Sequence, residues 1–202
     1  GKRFLYEGGL KKAELSDDNY PILVDPPKQP LIEDVRQAES RKYQKIEAMR
    51  KSGYISEVAR LVKRFGDDAY ISSHAAGFTM NGLVNLRGSE QAMIDLYEEP
   101  ELVHALFDNL CSEAVEIGKA IVDAGADCIY IGDAFSSCSL ISPSQYKEFC
   151  LPYYKRFVQE MKPYGIDIYM HICGNSSPLF EMMAESGVNA IEPLDPLGGV
   201  TV

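Results

Sequence analysis

A weak fourfold repeat constrains the fold of this chain more than any other feature of its sequence. Each copy has a glycine, an Asp or Asn one or two residues later and then a short apolar run, and each follows a segment with helical periodicity. The runs have the length of β-strands and are continuous rather than alternating, as expected for strands covered on both faces. This alternation predicts an α/β fold with a parallel sheet and helical crossovers. The copies are GDDAYISSH at 66–74, GADCIYIGD at 125–133, GIDIYMHIC at 165–173 and GVNAIEPLD at 187–195.

The number of repeats bears on how complete the fold is. Four βα units fall short of the eight that close a (β/α)8 barrel, which typically needs about 250 residues. The chain begins with Gly1 rather than Met and ends at Val202, soon after the fourth unit. We therefore expect part of a longer protein. Its strands are predicted in sequential order near residues 69–73, 128–132, 167–171 and 189–192.

The predicted division of the chain falls near residue 52. Residues 1–52 are expected to form an irregular and helical segment, with residues 1–30 irregular because four prolines interrupt them. Residues 53–202 are expected to form the partial barrel, truncated at its C-terminal side. Helices are predicted over residues 31–51, 54–65, 100–124, 143–161 and 177–186, the fourth of them kinked or broken at Pro152.

Composition excludes several classes of function. The 30 acidic and 20 basic residues give a formal net charge of −10. Lys and Arg form no basic stripe, so neither nucleic acid nor an anionic membrane surface is expected as a partner. No apolar run approaches the ~20 residues that span a bilayer. The first residues also lack the apolar core of a signal peptide.

The five cysteines indicate a reducing compartment. Their number is odd and their spacing irregular, which is not typical of a disulfide framework, so the cytoplasm is the expected location. Cys111 and Cys150 lie in helical patterns and Cys128 lies in a strand. These three are expected to be buried structural residues.

Polar residues end all four predicted strands. Eight residues after each repeat glycine the chain has His74, Asp133, Cys173 and Asp195. Strand carboxyl ends form the catalytic face of an α/β barrel and the ligand crevice of an open α/β sheet. Chemistry is therefore expected at this edge. The alternative is that polar residues only mark where the strands reach solvent.

The segment HICGN at 171–175 is the sharpest local signal. Residues at i and i+2 on a strand point to the same side, so His171 and Cys173 can present a nitrogen and a sulfur to one point. This donor pair suits zinc, although a buried histidine and cysteine would give the same pattern. Four roles are open for Asp133: a third ligand, a partner that orients a histidine, a substrate contact or a cap on the next segment. Glu192 lies in an apolar run and must be paired or near water.

Two longer stretches resemble the uroporphyrinogen decarboxylase superfamily. They cover residues 77–110 and 125–162, the second with its LISP and LPYYKR elements, and the resemblance extends over about residues 55–202. It implies a (β/α)8 barrel of the uroporphyrinogen decarboxylase type, present here in part. The superfamily contains cofactor-free decarboxylases of porphyrinogen acetate side chains and cobalamin-dependent methyltransferases that carry an HxC zinc motif.

The methyltransferase branch resembles this chain more, because HICGN looks like its zinc motif. The resemblance implies zinc held by His171 and Cys173, with a third ligand beyond residue 202. It also implies a methylated corrinoid, carried by a corrinoid protein, as methyl donor to a small thiol. Asp133 and Glu192 are then candidate catalytic residues, and His74 and Asp133 are candidate substrate-binding residues. The alternatives are a uroporphyrinogen decarboxylase, whose Arg-rich N-terminal segment is not seen here, and a non-catalytic corrinoid- or tetrapyrrole-binding relative.

Overall fold

The N-terminal part of the chain contains a small antiparallel sheet. The structure, a computed structural model, describes residues 3–7, 10–15, 21–22, 27–53 and 55–201. Strands β1 (Arg3–Glu7), β2 (Leu10–Leu15) and β3 (Pro21–Ile22) pair in that order. The expectation that residues 1–30 are irregular is therefore wrong for these strands. The sequence between β1 and β2 is Gly8-Gly9, a pair typical of hairpins.

A four-stranded parallel sheet forms the centre of the fold and confirms the βα interpretation of the repeat. Its strands pair in sequential order, and all pairs are parallel. The first strand begins three residues later than predicted, and the other three match the prediction to within one residue. The strands are β4 (Ser72–His74), β5 (Cys128–Gly132), β6 (Asp167–His171) and β7 (Ala190–Glu192).

The two faces of this sheet differ in burial. Side chains that face the helices are fully buried, among them Ile129, Ile131 and Met170. The opposite face carries Tyr130 and His171, which are only partly buried. The outer strands β4 and β7 alternate between exposed and half-buried residues. Continuous burial on both faces, which the apolar runs predicted, therefore fails on this opposite face and on the two outer strands.

Helices pack on one face of the sheet and supply most of the core. The longest has its predicted apolar stripe buried along its whole length, from Val103 to Ile121. The helix expected over residues 31–51 is two helices, separated by residues 41–45. In the described part of the chain no helix is long and apolar enough to cross a membrane. The helices up to β5 are α1 (Val35–Ser40), α2 (Ile46–Ser52), α3 (Ser56–Phe65), α4 (Met80–Arg87), α5 (Ser89–Glu98) and α6 (Pro100–Asp123).

The helical segment around Pro152 is continuous but changes its winding. A short helix α7 (Pro143–Gln145) leads into a π-helical turn over Tyr146–Cys150 and then into α8 (Leu151–Met161). Pro152 lies in the first turn of α8, where its missing N–H costs least. The kink or break predicted at Pro152 is thus replaced by the π-helical turn just before it. After β6 the chain adds a 3-10 turn over Ser177–Leu179 and helix α9 (Phe180–Glu185).

Candidate functional site

The sheet register aligns the polar ends of three neighbouring strands. Gly132 of β5 pairs with His171 of β6, which in turn pairs with Glu192 of β7. Side chains in one such row point to the same face of the sheet. Cys173 follows His171 by two residues. The carboxyl end of the sheet therefore places an imidazole and a carboxylate side by side, with a thiol just beyond them.

His171 and Glu192 form a direct contact. The Nδ1 atom of His171 lies 3.1 Å from Oε1 of Glu192, with both side chains partly exposed. A carboxylate only accepts hydrogen bonds, so Nδ1 must carry the proton. In the neutral ring this leaves the lone pair on Nε2. The second imidazole nitrogen is thus available as an acceptor or as a metal ligand.

The loop that carries Cys173 is fixed by the loop after β5. Gly174 has φ +92°, and a Cβ atom there would come within 2.8 Å of the Ser137 and Ser139 hydroxyls. The amide of Asn175 donates to the Ser139 hydroxyl at 3.0 Å, and the amide of Cys138 donates to the Asn175 carbonyl at 2.9 Å. Cys173 itself is exposed. The thiol is therefore accessible on a loop held in one position.

Asp133 is buried at the end of β5, and its carboxylate turns toward the start of α4. Its oxygens accept hydrogen bonds from the backbone amides of Thr79 at 2.9 Å and Asn81 at 2.7 Å, and from the Thr79 hydroxyl at 2.7 Å. Burial raises the pKa of Asp133, and these hydrogen bonds oppose the rise. The side chain does not join His171 and Cys173. Only its backbone adjoins the site, since the Asp133 amide donates to the His171 carbonyl at 2.9 Å.

The other two strand-end residues have different surroundings. His74 is exposed on the outer strand β4, with its ring centroid 5.0 Å from that of Tyr130. It thus lies on the same face as His171. Asp195 accepts a hydrogen bond from the Leu197 amide at 2.9 Å and caps the 3-10 turn over Pro196–Gly198. For Asp195 the structure supports the alternative that a polar residue marks the end of a strand.

Tyr130 is a residue of this face that the sequence analysis missed. Its ring centroid lies 5.0 Å from Tyr169 and 5.8 Å from His171, besides the contact with His74. Burial raises the pKa of Tyr130, and the nearby Glu192, Tyr169 and Cys173 raise it further. The signal was present in the sequence, because Tyr130 precedes Gly132 by two residues on the same strand face. Its significance depended on the register between strands, which the sequence did not supply.

The cysteines expected to be structural are buried. Cys111, Cys128 and Cys150 are at most 2% exposed, and all five cysteines are free thiols. Burial raises the pKa of both Cys111 and Cys150 to about 12. These two thiols therefore stay protonated at neutral pH, unlike a metal-binding cysteine.

The donor set at the strand ends fits zinc in kind but is incomplete in number. His171 offers an imidazole nitrogen and Cys173 a thiol, both common zinc ligands. Among the described residues, no group of three or more His, Cys, Asp and Glu side chains is placed to hold a metal ion. The described strand ends thus offer two donors, His171 and Cys173, and a four-coordinate site needs further ligands.

A parallel sheet with polar side chains at the strand carboxyl ends defines the class of protein as α/β, and the family identified next makes it a partial (β/α)8 barrel. The comparisons with known proteins define the family. The family model described as "Uroporphyrinogen decarboxylase (URO-D)" matches residues 14–195, and the chain belongs to that family.

The relatives include enzymes of two kinds. The methylcobamide:CoM methyltransferase MtbA of Methanosarcina acetivorans is 38% identical over 97 residues, which are 48% of this chain and 29% of the relative. The uroporphyrinogen decarboxylase of Myxococcus xanthus is 30% identical over 146 residues, which are 69% of this chain and 41% of the relative. A solved methyltransferase from Methanosarcina mazei has a TM-score of 0.69 at 21% identity and matches 85% of this chain and 48% of its own. The matched regions span less than half the length of each of these relatives.

Proposed function

We propose that this chain contributes to a zinc-dependent enzyme that transfers a methyl group from a methylated corrinoid to a thiol acceptor. The observation that carries the proposal is the contact between His171 Nδ1 and Glu192 Oε1 at 3.1 Å. Metal-binding histidines commonly donate their other ring N–H to a carboxylate, which fixes the tautomer and the ring orientation. The lone pair of His171 then lies on Nε2, where it is available to a metal ion that Cys173, two residues further along the chain, also binds in this proposal.

His171 and Cys173 are the proposed ligands from this chain, with a further ligand from outside residues 1–202. When bound, zinc stabilises a substrate thiol as its thiolate, and the thiolate is the nucleophile. Glu192 accepts a hydrogen bond from the Nδ1–H of His171. This contact orients the imidazole ring and favours His171 as a metal ligand. His74, exposed on the same face, is the proposed contact for the thiol acceptor.

Asp133 is proposed as a positioning residue, which holds His171 in place and does not contact the substrate. Its carboxylate fixes the first turn of α4, and its amide donates to the carbonyl of the ligand His171. The first contact ties the end of β5 to α4, and the second ties it to the end of β6. In this proposal Asp133 orients the histidine through the backbone, and the buried carboxylate does not contact the substrate.

The proposed partners are a corrinoid protein, as carrier of the methyl donor, and a small thiol. Two relatives support this choice by name, the methylcobamide:CoM methyltransferase of Methanosarcina acetivorans and the methylated-thiol–coenzyme M methyltransferase of Methanosarcina mazei. A reducing compartment such as the cytoplasm is part of the proposal, since the exposed Cys173 must stay a free thiol to bind metal.

A uroporphyrinogen decarboxylase is the second candidate. The similarity to the decarboxylase of Myxococcus xanthus extends over 146 residues, against 97 for the Methanosarcina acetivorans methyltransferase. A decarboxylase of porphyrinogen side chains must hold several carboxylates, and this requires basic residues at the site. The described strand ends instead contribute His74, His171 and the acidic Glu192. This charge balance favours the methyltransferase.

The test uses the full-length protein that contains these residues. Zinc content and methyl transfer from methylcobalamin to a panel of thiols are measured for wild type, His171→Ala and Cys173→Ala. We expect about one zinc per wild-type chain and loss of both zinc and transfer in each variant. The variant Cys138→Ala serves as the matched control, because Cys138 lies in a neighbouring loop and is not a proposed ligand. Wild-type protein without zinc, but with release of CO₂ from uroporphyrinogen, would establish the decarboxylase instead.

A further inference from the structure

The hydroxyl of Tyr130 occupies space that Gly132 leaves open. A Cβ atom at Gly132 would come within 2.9 Å of the Tyr130 hydroxyl oxygen and about equally close to the ring. The Tyr130 side chain therefore leans along its strand toward the carboxyl end, over the backbone of Gly132. Since Gly132 pairs with His171, the hydroxyl reaches the row that contains the proposed zinc ligand.

The surroundings of this hydroxyl leave it free to bind a ligand. In the described part of the chain, the hydroxyls of Tyr70, Tyr153 and Tyr154 are hydrogen-bonded to protein groups, whereas that of Tyr130 has no partner there. The ring is held by contacts with His74, Tyr169 and His171. Tyr130 thus combines a fixed ring with an unused donor at the mouth of the sheet.

We propose that Tyr130 is a substrate-binding residue that donates a hydrogen bond from its hydroxyl to the sulfur of the thiol acceptor. The inference rests on the proposed function, because it places the acceptor sulfur beside His171 and Cys173. A neutral phenol is a suitable donor to an anionic sulfur, and hydrogen bonds to charged acceptors are stronger than those between neutral groups.

The groups around the Tyr130 hydroxyl favour its role as a hydrogen-bond donor to the substrate. The phenol O–H of Tyr130 can donate as well as accept a hydrogen bond, and it lies beside the row that holds His171 and Glu192. Glu192 is already engaged by His171. The acceptor sulfur is then a negative group within reach of Tyr130 that still needs a donor.

The experiment measures thiol binding apart from turnover. In the full-length protein zinc is replaced by cobalt(II), and 2-mercaptoethanol is titrated while the sulfur-to-cobalt charge-transfer band is recorded. For Tyr130→Phe we expect unchanged metal content and about tenfold weaker thiol binding, which corresponds to about 1.4 kcal/mol. Phe keeps the ring contacts, so circular dichroism should match that of wild type.

A second variant moves the hydroxyl without removing it. Gly132→Ala places a methyl group 2.9 Å from the Tyr130 hydroxyl oxygen, closer than two such atoms normally approach, so we expect the oxygen to be displaced and thiol binding to weaken similarly. Tyr70→Phe is the matched control, because it also removes a tyrosine hydroxyl. That hydroxyl donates to Asp167 at 2.6 Å, at the opposite end of the sheet. We expect wild-type thiol binding in this control.

The outcomes separate this inference from the proposed function. Tyr130→Phe with wild-type thiol affinity, or with reduced metal content, overturns the role of Tyr130 and leaves the proposed function intact. Wild-type full-length protein that binds no metal, or that shows no thiolate band, overturns the proposed function and this inference together. Weaker thiol binding in Tyr130→Phe and Gly132→Ala, with full metal content in both, supports the role of Tyr130.

Discussion

The carboxylate of Asp133 accepts hydrogen bonds from both the amide and the hydroxyl of Thr79, a residue 54 positions earlier in the chain. The Thr79 hydroxyl also contacts the hydroxyls of Ser136 and Tyr154 at 3.1 and 2.9 Å. The end of β5, the start of α4 and helix α8 are therefore joined by one buried polar network. A fully satisfied network of this kind specifies one arrangement of the elements it joins.

The first prediction concerns Asp133→Asn. The amide group would place an N–H₂ against backbone and hydroxyl donors, which leaves a buried donor unpaired and removes the charge from the hydrogen bonds. We expect the free energy of unfolding to fall by about 2–3 kcal/mol. Urea denaturation followed by circular dichroism measures the change. Asp108→Asn, at a surface ion pair with Arg156, is the control and should cost less than about 1 kcal/mol. Equal losses in the two variants would contradict the prediction.

The second prediction concerns the buried ion pair between Arg87 and Asp95. Two guanidinium nitrogens donate to the two carboxylate oxygens at 2.6 and 2.8 Å, and a third donates to the Ile32 carbonyl at 2.6 Å. Arg87→Met leaves the carboxylate buried without its counter-charge and with only the Gln91 side-chain amide still donating to it at 2.9 Å, so we expect a loss of about 3–5 kcal/mol. The double variant with Asp95→Leu removes that charge and should recover much of the loss. Urea denaturation of both variants checks this, and a double variant no more stable than the single one argues against it.

The third prediction concerns Glu192→Gln. Glu192 accepts a hydrogen bond from His171 Nδ1. The Gln side chain is neutral, so the substitution removes the charge that orients the ring. We expect zinc affinity in the full-length protein to fall about 10- to 100-fold, with the fold retained. Competition with a chromophoric chelator measures the affinity. Glu181→Gln, on helix α9, is the control for loss of a carboxylate elsewhere. An affinity within twofold of wild type would show that Glu192 does not support a metal ligand.

The fourth prediction concerns the reactivity of the cysteines. At pH 8 a thiol with a pKa of about 12 is thiolate in roughly one molecule in 10⁴, so the buried Cys111 and Cys150 should resist alkylation. The exposed Cys173 should be modified first by iodoacetamide in metal-free protein. Mass spectrometry of peptides after timed labelling gives the order. Modification of Cys111 or Cys150 as fast as that of Cys173 would show that the native packing around them opens readily.

Local patterns in the sequence determined the βα order of the fold. The repeat predicted four parallel strands in sequential order, and the spacing along α6 predicted its buried stripe, because both signals depend on residues close in the chain. The expectation that His171 and Cys173 face the same side rests in the same way on the two-residue period of a strand, and it stays a prediction because β6 ends at His171. Their zinc-binding role and the domain division near residue 52 stay predictions.

The tertiary structure decided the contacts between distant residues. Asp133 was a candidate for the common strand-end face, but its carboxylate is directed to Thr79 and Asn81. The contact of His171 with Glu192 likewise depends on strand register, as do the contacts of Tyr130 with His74 and His171. Periodicity tells which face of a strand a residue occupies, whereas its partners depend on how strands 20 to 60 residues apart are aligned. That alignment is set by packing of the whole sheet against its helices, and no short stretch of sequence contains it.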